Sequence, residues 1–302
     1  MPSHDRSGRR PYGGPAGTGE RPEQNDLGRL VSAVLDGQRP SGAFESTMAD
    51  GGTQAPDENS FTTARILDAL GGLATHPRLQ AAFQRALAFL SSCEARELPG
   101  TYRFWPDAHR PAHVPRYPAD ADDTALVSLV LLRHHVATRQ QLRRLVAHTL
   151  LSHRVRPGDR PARWVQAGAF MTWLDRDWPY NIVDCTVNAN VVRLICAVGL
   201  RGIPGYEEAC GTVAAGVASA AGDPALLRLI SPYYATPLDL RDAVRRAVNA
   251  GATELQPSLD QLSEQLPQIR SPGEMAVCTS AYGRITWTCD LLRKLDACDY
   301  AL

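Results

Sequence analysis

Residues 120–125 read Asp120-Ala-Asp122-Asp123-Thr124-Ala125. Three carboxyl groups within four positions repel one another when ionised. If they are buried together, at least one keeps its proton. A positioned acid with its proton in place is equipped for general acid catalysis. A purely local account stands beside this one. Acidic residues in the first turn of a helix are favoured by the helix dipole, and aspartate is a good N-cap.

Aromatic residues flank the acidic segment. Tyr102, Phe104, Trp105 and Tyr117 come before it, and Trp164, Phe170, Trp173, Trp178 and Tyr180 form a second group after it. Aromatic faces stabilise cations in dry pockets, and they also fill ordinary cores. Tyr102 and Phe170 sit in turns and are assigned to packing. Trp105, Tyr117, Trp173 and Trp178 are the candidates for lining a pocket. A second polar segment, Asp184-Cys-Thr-Val-Asn188-Ala-Asn190, also opens an apolar helix. Asparagine has poor helix propensity. Asn188 and Asn190 are therefore candidates for orienting the acid or a substrate, or for bridging neighbouring loops.

The elements that must hold these residues are helices. Apolar positions recur at three- and four-residue spacing over 27–35, 62–70, 79–90, 124–135, 140–151 and 187–198. Further helices are expected over 207–220, 238–249, 259–266 and 285–295. Alternating runs are few, so the fold class expected is all-α.

A repeat links the helices. Gly42-Ala-Phe44, Gly100-Thr-Tyr102 and Gly168-Ala-Phe170 share a Gly-x-aromatic pattern. Each precedes a helix with a polar start. Thr63, Thr124 and Asn188 fall in register, with Asn59, Asp120 and Asp184 four positions earlier. The unit is a helix hairpin of about 60 residues, and about five such units fit the chain. Closed on themselves, the hairpins give an α/α toroid with inner and outer helix rings and with the three polar segments on one rim. The column of Asp122 also holds Phe61 and Thr186, and that of Asp123 holds Thr62 and Val187. The repeat itself does not require carboxylates at 122 and 123, so these are stronger functional candidates than Asp120.

The whole chain has 302 residues, 44% hydrophobic and 21% charged. Lysine plus arginine equals aspartate plus glutamate at 32 each, which argues against a surface built for nucleic acid. Residues 1–25, rich in Gly, Pro and Arg, read as a disordered tail without the apolar core of a secretory signal. Residues 26–302 read as one domain. No apolar run approaches the ~20 residues of a spanning helix. Seven scattered cysteines without a CxxC pair suit a reducing cytoplasm better than a disulfide framework.

At this point the sequence resembles a known family. Gln38-Arg-Pro-Ser-Gly42-Ala-Phe44 looks like the Gln-x-x-x-Gly-x-Trp turn of squalene-hopene cyclases and related terpene cyclases, with Phe for Trp. Asp120-Ala-Asp122-Asp123-Thr124-Ala125 is similar to the DxDDTA signature of class II terpene cyclases. The resemblance covers about residues 27–296. It implies the α/α toroid of the terpene-cyclase and prenyltransferase superfamily and a protonation-initiated cyclisation of a linear isoprenoid. Carried over, Asp122 is the acid, and Asp120 and Asp123 are its supporting carboxylates. Protonating an alkene demands a strong, positioned acid and a site free of water and bases.

No cofactor is implied, and Mg2+ enters only if the substrate carries a diphosphate. The DDxxD signature of ionising cyclases is absent, as are a glycine-rich phosphate loop, a Gly-x-Ser-x-Gly elbow and a histidine well placed to complete a zinc site with Asp184 and Cys185. The expected partner is a linear isoprenoid or another apolar small molecule. Peripheral membrane contact and a homodimer or second helical subunit completing the cavity are further expectations. Cyclases of this type combine two helical domains, and this chain holds about one. The alternative readings are a non-catalytic toroid that binds an apolar ligand or partner, and a prenyltransferase acting on a small acceptor.

Overall fold

The computed structural model describes residues 22–159, 161–179, 181–267 and 275–297. In chain order the elements are α1 (Pro22–Asp36), β1 (Glu45–Asp50), β2 (Thr53–Glu58), α2 (Ser60–Ala69), α3 (Gln80–Ser92), α4 (Ala121–Arg133), α5 (Arg139–Arg144), α6 (Cys185–Val198), α7 (Tyr206–Ala220), α8 (Pro224–Leu229), α9 (Pro237–Asn249), α10 (Gln256–Gln265), β3 (Ala276–Thr279), β4 (Ile285–Thr288) and α11 (Asp290–Ala297). Residues 1–21 of the expected tail, and Tyr180, lie outside the described residues.

The chain is mostly helical, but the expectation of an all-α fold needs correction. An antiparallel sheet runs in the order β2-β1-β4-β3, with Met48 opposite Trp287. Gly51 and Gly52 turn the first hairpin with φ of 56° and 91°. Positive φ at both central residues matches the twist of the flanking strands. The helix expected over 285–295 divides. Ile285-Thr-Trp-Thr288 is a β-branched and aromatic strand, and the helix starts only at Asp290. The helix expected over 140–151 is regular only to Arg144, after which a wide π turn and a 3-10 turn carry the chain to His153.

Burial separates two classes of helix. Residues 60–67 of α2, 121–131 of α4 and 185–195 of α6 are buried on every face. By contrast, α3 buries one stripe, Ala82, Phe83, Ala86, Phe89 and Leu90, at helical spacing. The buried helices pack in succession: α2 on α4, α4 on α6, and α6 on α9. α11 packs on α2 and joins α9 through Arg293 and Asp239, whose Nη1 and Oδ1 are 3.2 Å apart.

The repeat register appears as a repeated hydrogen bond. The backbone N–H of Phe44 donates to Thr63 Oγ1 (3.2 Å), that of Tyr102 to Thr124 Oγ1 (3.0 Å) and that of Phe170 to Asn188 Oδ1 (2.9 Å). The three turn glycines, Gly42, Gly100 and Gly168, have φ of 97°, 82° and 102°. At Gly42 a Cβ would also stand 2.2 Å from the Arg85 carbonyl oxygen. Only glycine takes that place without strain. Gln38 braces this turn by donating to the carbonyls of Gly42 (3.0 Å) and Ala82 (2.7 Å).

Asn59, Asp120 and Asp184 are the N-caps of α2, α4 and α6, and each side chain accepts from first-turn backbone N–H groups. The six described cysteines are free, and no described helix is long and apolar enough to cross a membrane.

Candidate active site

The N-terminal turn of α4 faces a cavity of about 740 Å3. Asp120, Asp122 and Asp123 all contribute to its wall, together with Phe61 and Val187 from the starts of α2 and α6. The cap geometry explains how the segment is aimed. Asp120 Oδ1 accepts from Asp123 N at 2.7 Å, and the Asp120 N–H donates to the Tyr102 carbonyl at 3.2 Å. The acidic turn is thereby fixed to the Gly-x-aromatic turn of its own repeat.

The three carboxyls differ in their surroundings. Burial pushes Asp120 up to about 7, and the charge of Asp122 adds to the rise. Burial, then the neighbouring Asp120, push Asp123 well above the carboxylate range. This pair therefore retains a proton near neutrality.

Asp122 is also raised by burial, but two neutral donors and the Arg65 charge oppose the rise. Tyr234 donates its hydroxyl hydrogen to Asp122 Oδ2 at 2.6 Å, and Asn190 Nδ2 donates to Oδ1 at 2.7 Å. Asn190 Nδ2 also donates to the Tyr234 oxygen at 2.9 Å, which closes a triangle. Each Asp122 oxygen accepts one bond and has one lone-pair site left.

Tyr234 carries no local signal in the sequence and was not among the expected site residues. It lies between α8 and α9 and is held there by Asp184. The Asp184 carboxyl accepts from the Tyr233 N–H at 3.2 Å and from Ser231 Oγ at 3.2 Å. Burial pushes Asp184 up to about 7. The Tyr234 ring meets Phe61 edge-on, with centroids 5.6 Å apart. Phe61 occupies in α2 the repeat position that Asp122 occupies in α4.

The expected aromatic candidates come together. Trp105, Tyr117, Trp173 and Trp178 all line the cavity. Tyr117 stacks between Trp105 (6.1 Å, 22°) and Trp173 (5.4 Å, 19°), and Trp178 lies 5.9 Å from Trp173. Phe104 and Trp287 extend the wall, 4.9 Å apart. Two rings are anchored by their indole N–H groups: Trp105 donates to Asp57 Oδ1 at 2.7 Å, and Trp173 donates to the Tyr233 hydroxyl at 2.9 Å. Trp287 was hidden in the sequence inside an expected helix.

The two asparagines part company, one taking each of the expected alternatives: Asn190 orients the acid and Asn188 bridges to a neighbouring turn. Neither lines the cavity. Asn188 is consumed by structure: Oδ1 accepts from Phe170 N, and Nδ2 donates to the carbonyls of Phe170 (3.0 Å) and Asp184 (2.9 Å). Asn190 acts on Asp122. Residues two apart on a helix point to well-separated directions, which explains the split.

Among the described residues, no group of three or more His, Cys, Asp or Glu is arranged to hold a metal ion. As a chemical device, the site joins protonatable carboxyls to an aromatic wall.

No protein-family model matches the chain, and no curated protein does either. Solved structures do resemble it. A protein from Actinoplanes matches over 87% of this chain and 70% of its own, at 17% identity and a TM-score of 0.50. A variant of the type II terpene cyclase MstE from Scytonema, in complex with merosterolic acid A, matches over 87% of this chain and 70% of its own, at 14% identity and a TM-score of 0.46. Another variant of that cyclase, in complex with geranylgeranyl dihydroxybenzoate, matches over 91% and 96%, at 13% identity and a TM-score of 0.42. The likeness to the Actinoplanes protein is one of fold.

Proposed function

We propose that this chain is a class II-like terpene cyclase that protonates a linear isoprenoid, with Asp122 as the general acid. The observation that carries the reading is the placement of Asp122. It stands in the wall of an aromatic cavity with one hydrogen bond to each oxygen, both from uncharged donors. Burial keeps the proton on the free carboxyl until a substrate arrives. Transfer to an alkene carbon leaves a carbocation on the substrate and a carboxylate on Asp122. Tyr234, Asn190 and the Arg65 charge stabilise that carboxylate, which strengthens the acid. Asp120 and Asp123 hold their own proton and keep the rim of the site from accumulating charge. The faces of Trp105, Tyr117, Trp173 and Trp178 stabilise the migrating cation. Loss of a proton or capture by water ends the sequence.

The volume falls within the roughly 300–1,000 Å3 of small-molecule pockets. We read α2, α4, α6, α9 and α11 as the inner ring of one α/α toroid, with α1, α3, α5, α7 and α10 outside. One chain then supplies both the acid and the aromatic walls. The transfer as written needs no cofactor, and Mg2+ would serve only a diphosphate-bearing substrate.

The test is Asp122→Asn. Incubated with linear polyprenyl substrates, the wild type forms cyclic products and the variant forms none, while helical circular dichroism and melting stay near wild type. Wild-type turnover by the variant would end the assignment. An unchanged ligand recovered from the wild type with measurable affinity would favour a binding protein.

A further inference from the structure

Asp57, near the end of β2, is buried and does not line the cavity. Its partners do. Trp105 donates its indole N–H to Asp57 Oδ1 at 2.7 Å, and its ring is part of the cavity wall. Trp287, in the same wall, has its ring centroid 5.9 Å from that of Trp105. Its Nε1 is buried and makes no hydrogen bond of ordinary geometry, but its N–H helps to hold down the rise that burial gives the Asp57 carboxyl. On the other oxygen, Asn59 Nδ2 donates to Oδ2 at 2.7 Å, and Ser46 Oγ is a weaker donor at 3.5 Å.

Among the described residues no cation pairs with Asp57, and each of its partners is neutral. The other anchored indole differs: Trp173 gives its N–H to a hydroxyl, that of Tyr233. A buried carboxylate without a counter-charge is costly, and an amide or hydroxyl would accept the same bonds at less cost. The charge has a use if a cation occupies the cavity. An indole N–H bound to a carboxylate makes a charge-assisted hydrogen bond, which polarises the ring and adds electron density to its π face. That face then attracts a cation more strongly. A carboxylate open to the cavity would capture a carbocation or take its proton. One that reaches the cavity only through an indole does neither.

We propose that Asp57, acting through the indole of Trp105, makes the faces of Trp105 and Trp287 a cation-binding subsite. Its ligand is a tertiary carbocation or an ammonium ion of the same shape. The carbocation rests on the cyclase reading, and the subsite says where in the cavity that charge is held. Asp57 touches no substrate. It is a positioning residue whose counter-charge is the cation itself.

Binding to Asp122→Asn tests this without turnover and without the charge of the acid. The probes are geranyltrimethylammonium, whose charge is permanent, and its neutral isostere with carbon in place of nitrogen. Calorimetric titration reads both. The ammonium is expected to bind, and adding Asp57→Asn should weaken it roughly tenfold while moving the isostere less than about twofold. Beside Trp105→Phe, which removes the N–H link, the same change should cost the ammonium only a small part of that factor. Asp57→Ser, which keeps a neutral acceptor, repeats the test if the asparagine variant does not fold. An unchanged ammonium affinity, or an equal loss for both probes, would assign Asp57 to bracing the fold and overturn the subsite. A full loss that persists beside Phe would overturn the route through the indole, and failure of the ammonium to bind would overturn the subsite outright. Each of these leaves the cyclase reading standing, since that is judged by cyclic products from the wild type. A loss confined to the ammonium, with no cyclisation by the wild type, supports the subsite and overturns the cyclase reading.

Discussion

Tyr234 and Asp122, 112 positions apart in the chain, share a hydrogen bond of 2.6 Å that ties Asp122, in the cavity wall, to a tyrosine behind it that does not line the cavity. Tyr234→Phe keeps the ring against Phe61 and removes only the hydroxyl. The carboxylate left after proton transfer then loses a donor. A hydrogen bond to a charged group contributes about 1.5–3 kcal/mol, so kcat is expected to fall roughly 10- to 100-fold with little change in KM. The sign of the pH effect follows from the same bond. Tyr234 lowers the proton affinity of Asp122, so its loss raises it. Activity needs the proton on Asp122, so the falling alkaline limb of kcat moves to higher pH. A profile unchanged in height and position would show that the hydroxyl does not act on the acid.

Asp120 makes folding depend on pH. Burial pushes its carboxyl up to about 7 in the folded chain, against about 3.9 for an unperturbed aspartate. Between those values the folded chain holds a proton that the unfolded chain has released. This contribution to stability is complete below about 4 and is lost as the pH rises through about 7. Asp120→Asn still caps α4 and cannot titrate. From pH 4 to pH 7 the wild-type melting temperature should therefore decline relative to the variant. A constant gap would mean that the folded carboxyl is ionised throughout.

The aromatic wall has a graded consequence. Trp105→Leu removes an indole that packs on Phe104, Tyr117 and Trp287. A cation–π contact contributes about 0.5–2 kcal/mol, so turnover should fall roughly 2- to 30-fold. Trp105→Phe should keep more of it. Gas chromatography of the extract should show early-quenched, partly cyclised products in the leucine variant. An unaltered product pattern in both variants would assign Trp105 to packing.

Asn188 is expected to matter for stability. Asn188→Ala strands the buried N–H of Phe170 and should cost about 1–3 kcal/mol in urea unfolding. Thr124→Val repeats the experiment one unit earlier, on the N–H of Tyr102, with a cost of about 1 kcal/mol. If neither variant loses stability, the shared register is not what holds the turns.

Local features carried much of this in the sequence. The Gly-x-aromatic turns and the caps at Asn59, Asp120 and Asp184 are short-range devices, and they aligned Thr63, Thr124 and Asn188 in the register that the hydrogen bonds adopt. Trp105, Trp173 and Trp178 stood out because they lie outside the turn positions. What escaped was long-range. Tyr234 reaches Asp122 through a segment with no motif. The sheet pairs strands from opposite ends of the chain, and its two C-terminal strands have only four residues each. The Gly51-Gly52 turn was the one local sign of a hairpin. Asn188 and Asn190 looked alike in sequence because a helix start shows composition, not the direction of each side chain.

The sheet that joins Met48 to Trp287 sets an order of events. Arg65 meets Asp296 across a similar interval, at 3.1 Å. Loop closure over such distances is slow, and it rewards the chain only at the end. On a ribosome, the helices around α4 and α6 can collapse early, while Trp105 and the acid turn still lack their far wall. The cavity gains its last wall, with Trp287, only after residues near 290 have emerged. Until then the nascent chain exposes its aromatic lining, which is the surface a chaperone would engage.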